Sequence, residues 1–250
     1  MSFEEKVVIV TGASSGIGKA TAKAFLKEKA KVLMVARSEE KLKELADDVN
    51  YQYIAADLTN DRAAEEIIGE ITLEWGGINV LVNSAGILKT GSIMNTTIDD
   101  FDYMMNINLR SVFSLMQTAI PFLKETKGNI VNVSSVAGIR AFPNILAYCV
   151  SKAALDHLTR CSALELAPFG IRVNAVNPGV VITNLHRESG MANENYEEFL
   201  EHSKTTHPLG RVGTPEEIAD LILFLASEKA SWITGETVSI DGGRFLTCLR

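Results

Sequence analysis

Seven short runs rich in Val and Ile recur along the chain, mostly with helical stretches between them. That alternation limits the possible folds more than any other feature of the sequence. Val7 to Thr11, Lys31 to Ala36, Tyr51 to Ala56, Asn79 to Asn83, Asn129 to Ser134, Ile171 to Asn177 and Thr237 to Ile240 each read as a strand. Gly16 to Lys29 reads as the first helix and about Glu39 to Val49 as the second. Short apolar strands separated by helices are buried on both faces, which requires a parallel sheet covered by helices on each side. The expected fold class is therefore α/β, a doubly wound seven-stranded parallel sheet. Neither linker, low-complexity stretch nor internal repeat interrupts residues 1–250, so they read as a single domain. One segment breaks the rhythm. Asn184 to Arg211 is polar and mixed, with a short helix expected around Glu194 to Lys204, and insertions of that kind often form lids or binding loops.

The first strand runs into Thr11-Gly12-Ala13-Ser14-Ser15-Gly16-Ile17-Gly18, and a helix follows at once. Glycines there let the backbone turn tightly and let a pyrophosphate approach the helix N-terminus, where unpaired N–H groups and the positive dipole end attract anions. In this context the pattern marks a Rossmann dinucleotide site. The second strand ends at Ala36-Arg37-Ser38, with no carboxylate at its end. An acid there would hold a ribose 2′-hydroxyl, whereas an arginine accommodates a 2′-phosphate. Glu39 and Glu40 fall in the first turn of the next helix, with Ser38 as its N-cap. The expected cofactor is NADP(H).

Composition narrows the partners. Lys and Arg number 24 against 31 Asp and Glu, a net charge of −7, which argues against nucleic acid or an anionic membrane surface. No apolar run approaches the roughly 20 residues of a spanning helix. The N-terminal residues carry neither a basic region nor an apolar run of a secretory signal. Cys149, Cys161 and Cys248 form no C-x-x-C pair, which suits free thiols in a reducing compartment, and a cytoplasmic location is expected. His157, His186, His202 and His207 show no ligand spacing, so no metal is expected.

Tyr148-Cys149-Val150-Ser151-Lys152 opens a long helix, and the four-residue spacing sets Tyr148 and Lys152 on one face. A phenol titrates near pH ~10, and a neighbouring ammonium stabilises its phenolate. Such a phenol can give a proton to a carbonyl as hydride arrives, or remove one in reverse. The strand Ile130 to Val133 delivers the hydroxyls of Ser134 and Ser135 to the same sheet edge, and Asn83-Ser84-Ala85-Gly86 ends another strand there. Cys149 points about 100° away around the helix and reads as a packing residue. Thr214, Pro215 and Glu217 read as the capped start of a helix whose Ile218, Leu221, Ile222 and Leu225 face the core.

Taken together and in order, Thr11-Gly12-x-x-x-Gly16-x-Gly18, Asp57-Leu58, Asn83-Ser84-Ala85-Gly86, Asn108, Ser135, Tyr148-x-x-x-Lys152, Pro178-Gly179 with Thr183, and Asp241-Gly242-Gly243 resemble the short-chain dehydrogenase/reductase family over nearly the whole chain. The resemblance implies a catalytic set of Asn108, Ser135, Tyr148 and Lys152. Tyr148 would be the general acid/base. Lys152 would lower its pKa and hold the nicotinamide ribose. Ser135, rather than Ser134, would bind the substrate oxygen. Asn108 would support a water chain to Lys152. Cofactor contacts are implied for Gly12, Ser14, Ser15, Gly16, Ile17, Gly18, Arg37, Ser38, Asp57, Leu58, Asn83, Ala85, Gly86, Tyr148, Lys152, Pro178, Gly179, Val181 and Thr183. The resemblance also implies a homotetramer built on the helices around Met105 to Leu123 and Ala147 to Leu166. Two departures stand out: Ser84 replaces the usual second Asn, and Ser15 stands where many NADP-preferring members are basic, so the cofactor expectation rests on Arg37.

Pocket walls are expected from Ile87, Leu88, the Val136 to Leu146 loop and the 184–211 segment, including Ile139, Phe142, Ile145, Leu185, Met191, Tyr196 and Phe199. The leading reading is an NADPH-dependent reductase of a ketone or aldehyde to the alcohol. An NAD(P)-dependent alcohol dehydrogenase working oxidatively is the nearest alternative. A non-catalytic cofactor-binding regulator is the alternative from another class.

Overall fold

In the strands, alternate residues part to opposite faces of one sheet. Val8 and Val10 of the first strand join one apolar cluster and Val7 and Ile9 the other; Val32 and Met34 of the second strand part from Leu33 and Val35 in the same way. This period-two division buries both faces at once, and helices must then cover both. The computed structural model describes residues 2–44, 51–189 and 192–247.

The elements run β1 (Val7–Thr11), α1 (Gly16–Lys27), β2 (Lys31–Ala36), α2 (Glu39–Lys43), β3 (Tyr51–Ala55), α3 (Ala63–Trp75), β4 (Val80–Asn83) and α4 (Ile98–Met105). A π-helical segment, Asn106–Arg110, joins α4 to α5 (Ser111–Thr126). There follow β5 (Asn129–Val133), α6 (Val136–Ile139), α7 (Leu146–Leu166), β6 (Arg172–Pro178), α8 (Leu185–Glu188), α9 (Asn193–Thr206), α10 (Pro215–Ala226) and β7 (Thr237–Ile240). The sheet order is β3-β2-β1-β4-β5-β6-β7, and each of the six pairings is parallel. The expected doubly wound seven-stranded sheet is therefore present. Helices α1 and α10 pack on one face through Phe25, Ile218 and Ile222, while α3, α5 and α7 pack on the other through Ile67, Leu115 and Leu155. Among the described residues, no helix is long and apolar enough to cross a membrane.

Boundaries shift by a residue or two where backbone pairing, not side-chain character, decides them. Ala56 and Ser134 lie past their strands, and Pro178 belongs to β6. The second helix, expected to reach Val49, has its C-cap at Glu44; residues 45–50 lie outside the described residues. The long helix starts at Leu146, two residues ahead of Tyr148. The 184–211 segment holds two helices, α8 and α9, and Met191, expected in its wall, lies outside the described residues. Cys248 does too.

Local capping follows the sequence. The Ser38 hydroxyl accepts from Lys41 N at 3.5 Å. Thr214 and Glu217 form a reciprocal capping box: Glu217 N donates to Thr214 Oγ1 at 3.4 Å and Thr214 N to Glu217 Oε2 at 2.9 Å. Arg211 adds two hydrogen bonds to the same carboxylate, which falls to a pKa of about 2 chiefly through that arginine. Thr214→Ala removes one cap and is expected to cost about 1 kcal/mol. The loss should show as a lower urea midpoint at unchanged slope, and Thr214→Ser should restore most of it.

Candidate active site

Because every strand points the same way, the C-terminal ends of β1, β2, β4, β5 and β6 open on one edge, where ligands of such sheets bind. A cleft of about 770 Å³ runs along it. Its lining includes Gly12, Ser14 to Gly18, Arg37, Ser38, Asp57, Leu58, Ala85, Gly86, Ser135, Tyr148, Lys152, Pro178, Gly179, Val181 and Thr183. The sequence reading placed all of these at a cofactor or catalytic site. Asn83 and Asn108 are outside that lining and act from behind it.

Buried polar groups hold the cleft together. Thr11 Oγ1 accepts from Ser84 N and Ala85 N at 3.0 and 3.1 Å, fixing the β4 turn to the end of β1. Gly12, with φ +66°, allows this approach, since a Cβ there would lie 2.8 Å from Ala85 Cα. Asn83 Nδ2 donates to Asn132 Oδ1 at 2.9 Å, and Asn132 Nδ2 to Thr159 Oγ1 at 2.9 Å, so Asn83 braces β4, β5 and α7. Asn108 is fully buried in the π-helical segment. Its side chain accepts from Ile87 N and donates to Ile87 O, both at 2.9 Å, and donates to Ser151 Oγ at 3.0 Å. At Gly86 a Cβ would lie 3.3 Å from Asn108 Oδ1 and 3.5 Å from Lys152 Nζ, so the missing side chain leaves room between them.

At one end of the cleft stands the N-terminus of α1. Ser15, its N-cap, makes no side-chain hydrogen bond to the first turn, so those N–H groups are left for an anion. Arg37 and Ser38 lie further along, joined by Lys41, which the sequence reading missed. Lys41 stands four residues after Arg37, in the first turn of α2, and that short spacing was the available signal. The Asp57 carboxylate accepts from Thr59 N and Thr59 Oγ1 at 2.9 and 2.8 Å; these bonds, with a smaller contribution from Arg37, hold its pKa below the usual carboxylate range.

At the other end, Tyr148, Lys152 and Ser135 converge. The two candidate serines part ways. Ser134 Oγ donates to Lys152 O at 3.3 Å and belongs to the packing behind the site. Ser135 accepts from Ala137 N at 3.1 Å and is also hydrogen-bonded to the Tyr148 phenol. Lys152 Nζ donates to Val133 O at 2.8 Å and lies 5.8 Å from the Tyr148 ring centroid. The expected downward shift of the phenol is reversed in the chain alone. Burial pushes Tyr148 up to about 12, against the opposing hydrogen bond from Ser135. Burial also lowers Lys152 to about 8, with Asp156 opposing. Desolvation outweighs the pairing because the ammonium is engaged by a carbonyl.

His207, set aside as a metal ligand, has a bracing role that sequence spacing could not show. Its Nε2 accepts from Val180 N at 3.1 Å and its Nδ1 donates to Ser203 O at 2.5 Å, which ties α9 to the turn after β6. Tyr196 of α9, also buried, donates to Thr183 O at 2.9 Å. Leu185 and Asn184 line the cleft beside them, as does Ile87. Leu88, Met104, Ala147 and Tyr148 form a small apolar cluster with Phe142, Ile145 and Leu185 packed on it. Cys149 is half-buried and also packs on that cluster; burial raises its thiol pKa.

Residues 12–244 match a family model described as enoyl-(acyl carrier protein) reductase. The chain is similar to a 3-oxoacyl-[acyl-carrier-protein] reductase of Thermotoga maritima, 39% identical over 97% of this chain and 99% of that one. It is also similar to meso-2,3-butanediol dehydrogenase of Serratia marcescens, 35% identical over 97% and 96%. A Caenorhabditis elegans short-chain dehydrogenase/reductase of unknown function, whose structure includes cofactor, superposes with a TM-score of 0.92 at 38% identity, covering 98% of this chain and 97% of that chain. The motif series, the strand order and these full-length similarities agree: the chain belongs to the short-chain dehydrogenase/reductase family of oxidoreductases.

Proposed function

We propose that the protein is an NADPH-dependent reductase of a ketone or aldehyde, with Tyr148 as the general acid. The observation that carries this reading is one continuous cleft with uncapped helix N–H groups at one end and Ser135, Tyr148 and Lys152 at the other. The residues fit a nicotinamide dinucleotide. The first turn of α1 would take the pyrophosphate, Arg37 with Ser38 and Lys41 a 2′-phosphate, and Asp57 and Leu58 the adenine side. Ala85, Gly86, Tyr148 and Lys152 would hold the nicotinamide ribose, with Pro178 to Thr183 on the carboxamide.

When bound, the reduced cofactor supplies the hydride. The chain's residues do the rest. Ser135 and Tyr148 direct hydroxyls at the substrate's carbonyl oxygen. The phenol donates its proton as that oxygen gains charge, leaving an alcohol and a phenolate. The Lys152 ammonium, close by in the same cleft, stabilises the phenolate, and Asn108, bonded to Ser151 and facing the Gly86 gap, supports proton return. A phenol raised to about 12 in the chain alone is in its proton-bearing form at neutral pH, the form the reductive step uses.

Tyr148→Phe is expected to cut kcat by about 10²–10⁴-fold while leaving NADPH binding within a few-fold, read by fluorescence titration. Ser135→Ala should also lose most turnover. Near-normal kcat in Tyr148→Phe contradicts the mechanism. In the wild type, oxidation of the alcohol should rise with pH more steeply than reduction falls, because only the oxidative step needs the phenolate.

Cofactor choice is tested separately. Arg37→Ala with Lys41→Ala removes two charge-assisted contacts of roughly 1.5–3 kcal/mol each, so KM for NADPH should rise about tenfold or more. KM for NADH should barely move. Comparable kcat/KM with both cofactors in the wild type overturns the NADP assignment.

A groove of about 700 Å³ lined by Met105, Leu109, Phe113 and Leu158 lies on the outer face of α4, α5 and α7. It supports a homotetramer, and a monomeric mass by light scattering would contradict it. Cys149 and Cys161 are free thiols, which fits a cytoplasmic setting.

A further inference from the structure

We infer that Asp156 is a positioning residue for the reaction: from behind the cleft it supplies the counter-charge that keeps Lys152 an ammonium beside Tyr148. The inference rests on the reductase reading and adds a residue to its machinery.

Tyr148, Lys152 and Asp156 stand at successive four-residue steps along α7, so one helix face carries all three, and all three are buried. At a helical rise of ~1.5 Å per residue, Asp156 lies roughly 6 Å along the axis from Lys152 and roughly 12 Å from Tyr148, so its charge acts on the amine more than on the phenol. Asp156 is outside the cleft lining, and its partners hold it from behind. Asn177 Nδ2 donates to Asp156 Oδ2 and to Ser135 O, both at 2.9 Å. Ser134, whose Oγ donates to Lys152 O at 3.3 Å, also hydrogen-bonds the carboxylate. Gly138 of α6 lies against the same turn: a Cβ there would lie 2.5 Å from Asp156 Oδ2 and 3.0 Å from Lys152 O, so the missing side chain lets α6 close over the carboxylate. Asp156 is thereby fixed both to the loop carrying Ser135 and to the turn carrying Lys152.

Burying a carboxylate is costly unless hydrogen bonds and an opposite charge compensate it. Hydrogen bonds compensate only part of this one, because Asp156 Oδ1 is buried with no partner. The cations that face it are on its own helix, Lys152 one turn before and Arg160 one turn after. From the other elements packed on this turn, α6, the end of β5 and β6, the groups that reach it are uncharged: Gly138, Ser134 and Asn177. Burial raises the Asp156 pKa, and Ser134, Asn177, Arg160 and Lys152 all draw it back. Lys152 has the complementary need. Its Nζ donates to Val133 O, a neutral dipole, and Asp156 is the charge that opposes its desolvation. The phenol's shift is set instead by burial, Ser135 and Cys149. Without the Asp156 charge, desolvation acts on Lys152 unopposed. The amine then releases its proton at lower pH, and a neutral amine cannot stabilise a phenolate.

The test reads the charge of Lys152 directly. In the protein without cofactor, trace acetylation by acetic anhydride at a series of pH values, with the Lys152 peptide quantified by mass spectrometry, follows the neutral fraction of that amine. The wild-type midpoint is expected at about 8. Asp156→Asn, which keeps the shape and removes the charge, should lower the midpoint by about one pH unit or more. Asp156→Ser, smaller and also neutral, is the second variant in case Asp156→Asn folds poorly. In the reductase assay with NADPH, kcat should fall with rising pH about one unit earlier in either variant than in the wild type. A wild-type midpoint below neutrality, or an unmoved midpoint with kcat lowered equally at every pH, overturns the inference and leaves the reductase reading in place. The labelling needs no turnover. A shifted midpoint in a protein that reduces no ketone or aldehyde would therefore uphold the counter-charge and overturn the reductase reading instead.

Discussion

The site depends on a constraint set by the sheet: with all strands parallel, their chemistry-bearing ends emerge on one edge, unpaired. Each end then needs a buried polar partner to hold its loop. The structure supplies one at each junction. Thr11 Oγ1 holds the β4 turn to β1. Asn132 joins Asn83 to Thr159. Asn177 Nδ2 donates to Ser135 O and Asp156 Oδ2, both at 2.9 Å, joining β6, the end of β5 and α7. A buried hydrogen bond contributes only about 1 kcal/mol net, but a lost partner leaves a buried group unsatisfied at about 1–3 kcal/mol. These side chains consequently specify loop positions more than they add stability.

That same burial sets the electrostatics of the reactive groups. Tyr148 and Lys152 are drawn in opposite directions, each toward its neutral form, because removing charge from water dominates their environment. The ammonium is turned to Val133 O and Ser135 to the phenol. An arrangement that keeps the phenol protonated in the chain alone holds a proton at the site, and the phenolate left once that proton is transferred meets the same desolvation in either direction.

The strands, the order of motifs, the Ser38 and Thr214 caps and most of the cleft were legible in the sequence because each rests on local chemistry. Period-two burial, capping propensity and a glycine-rich turn act within a few residues of their cause. What stayed hidden depends on long-range packing. Asn108 was identified by resemblance, but the π-helical turn that buries it has no local marker. His207 looked inert because its partners, Ser203 and Val180, lie on two different elements. The burial that raises the Tyr148 phenol in the chain alone was not legible, since helical spacing reveals a neighbour but not the loss of water. Arg140 and Arg244 are 104 residues apart, and only the fold brings them together, through a direct hydrogen bond and a shared Phe142 ring.

The charge distribution completes the physical picture. On a chain of net charge −7, seven surface cations among the described residues pair with carboxylates: Lys29, Lys31, Lys43, Lys89, Lys204, Arg110 and Arg211. Exposed pairs of this kind contribute roughly 0–1 kcal/mol each and are screened by salt. Arg37, Lys41 and Lys152 line the cleft, and none of them forms such a pair among the described residues. An acidic protein can therefore bind anions where it must, because attraction at a partly desolvated site depends on the few charges within reach more than on the total. Asp57 near Arg37 and Asp156 near Lys152 offset part of that charge without forming an ion pair with it.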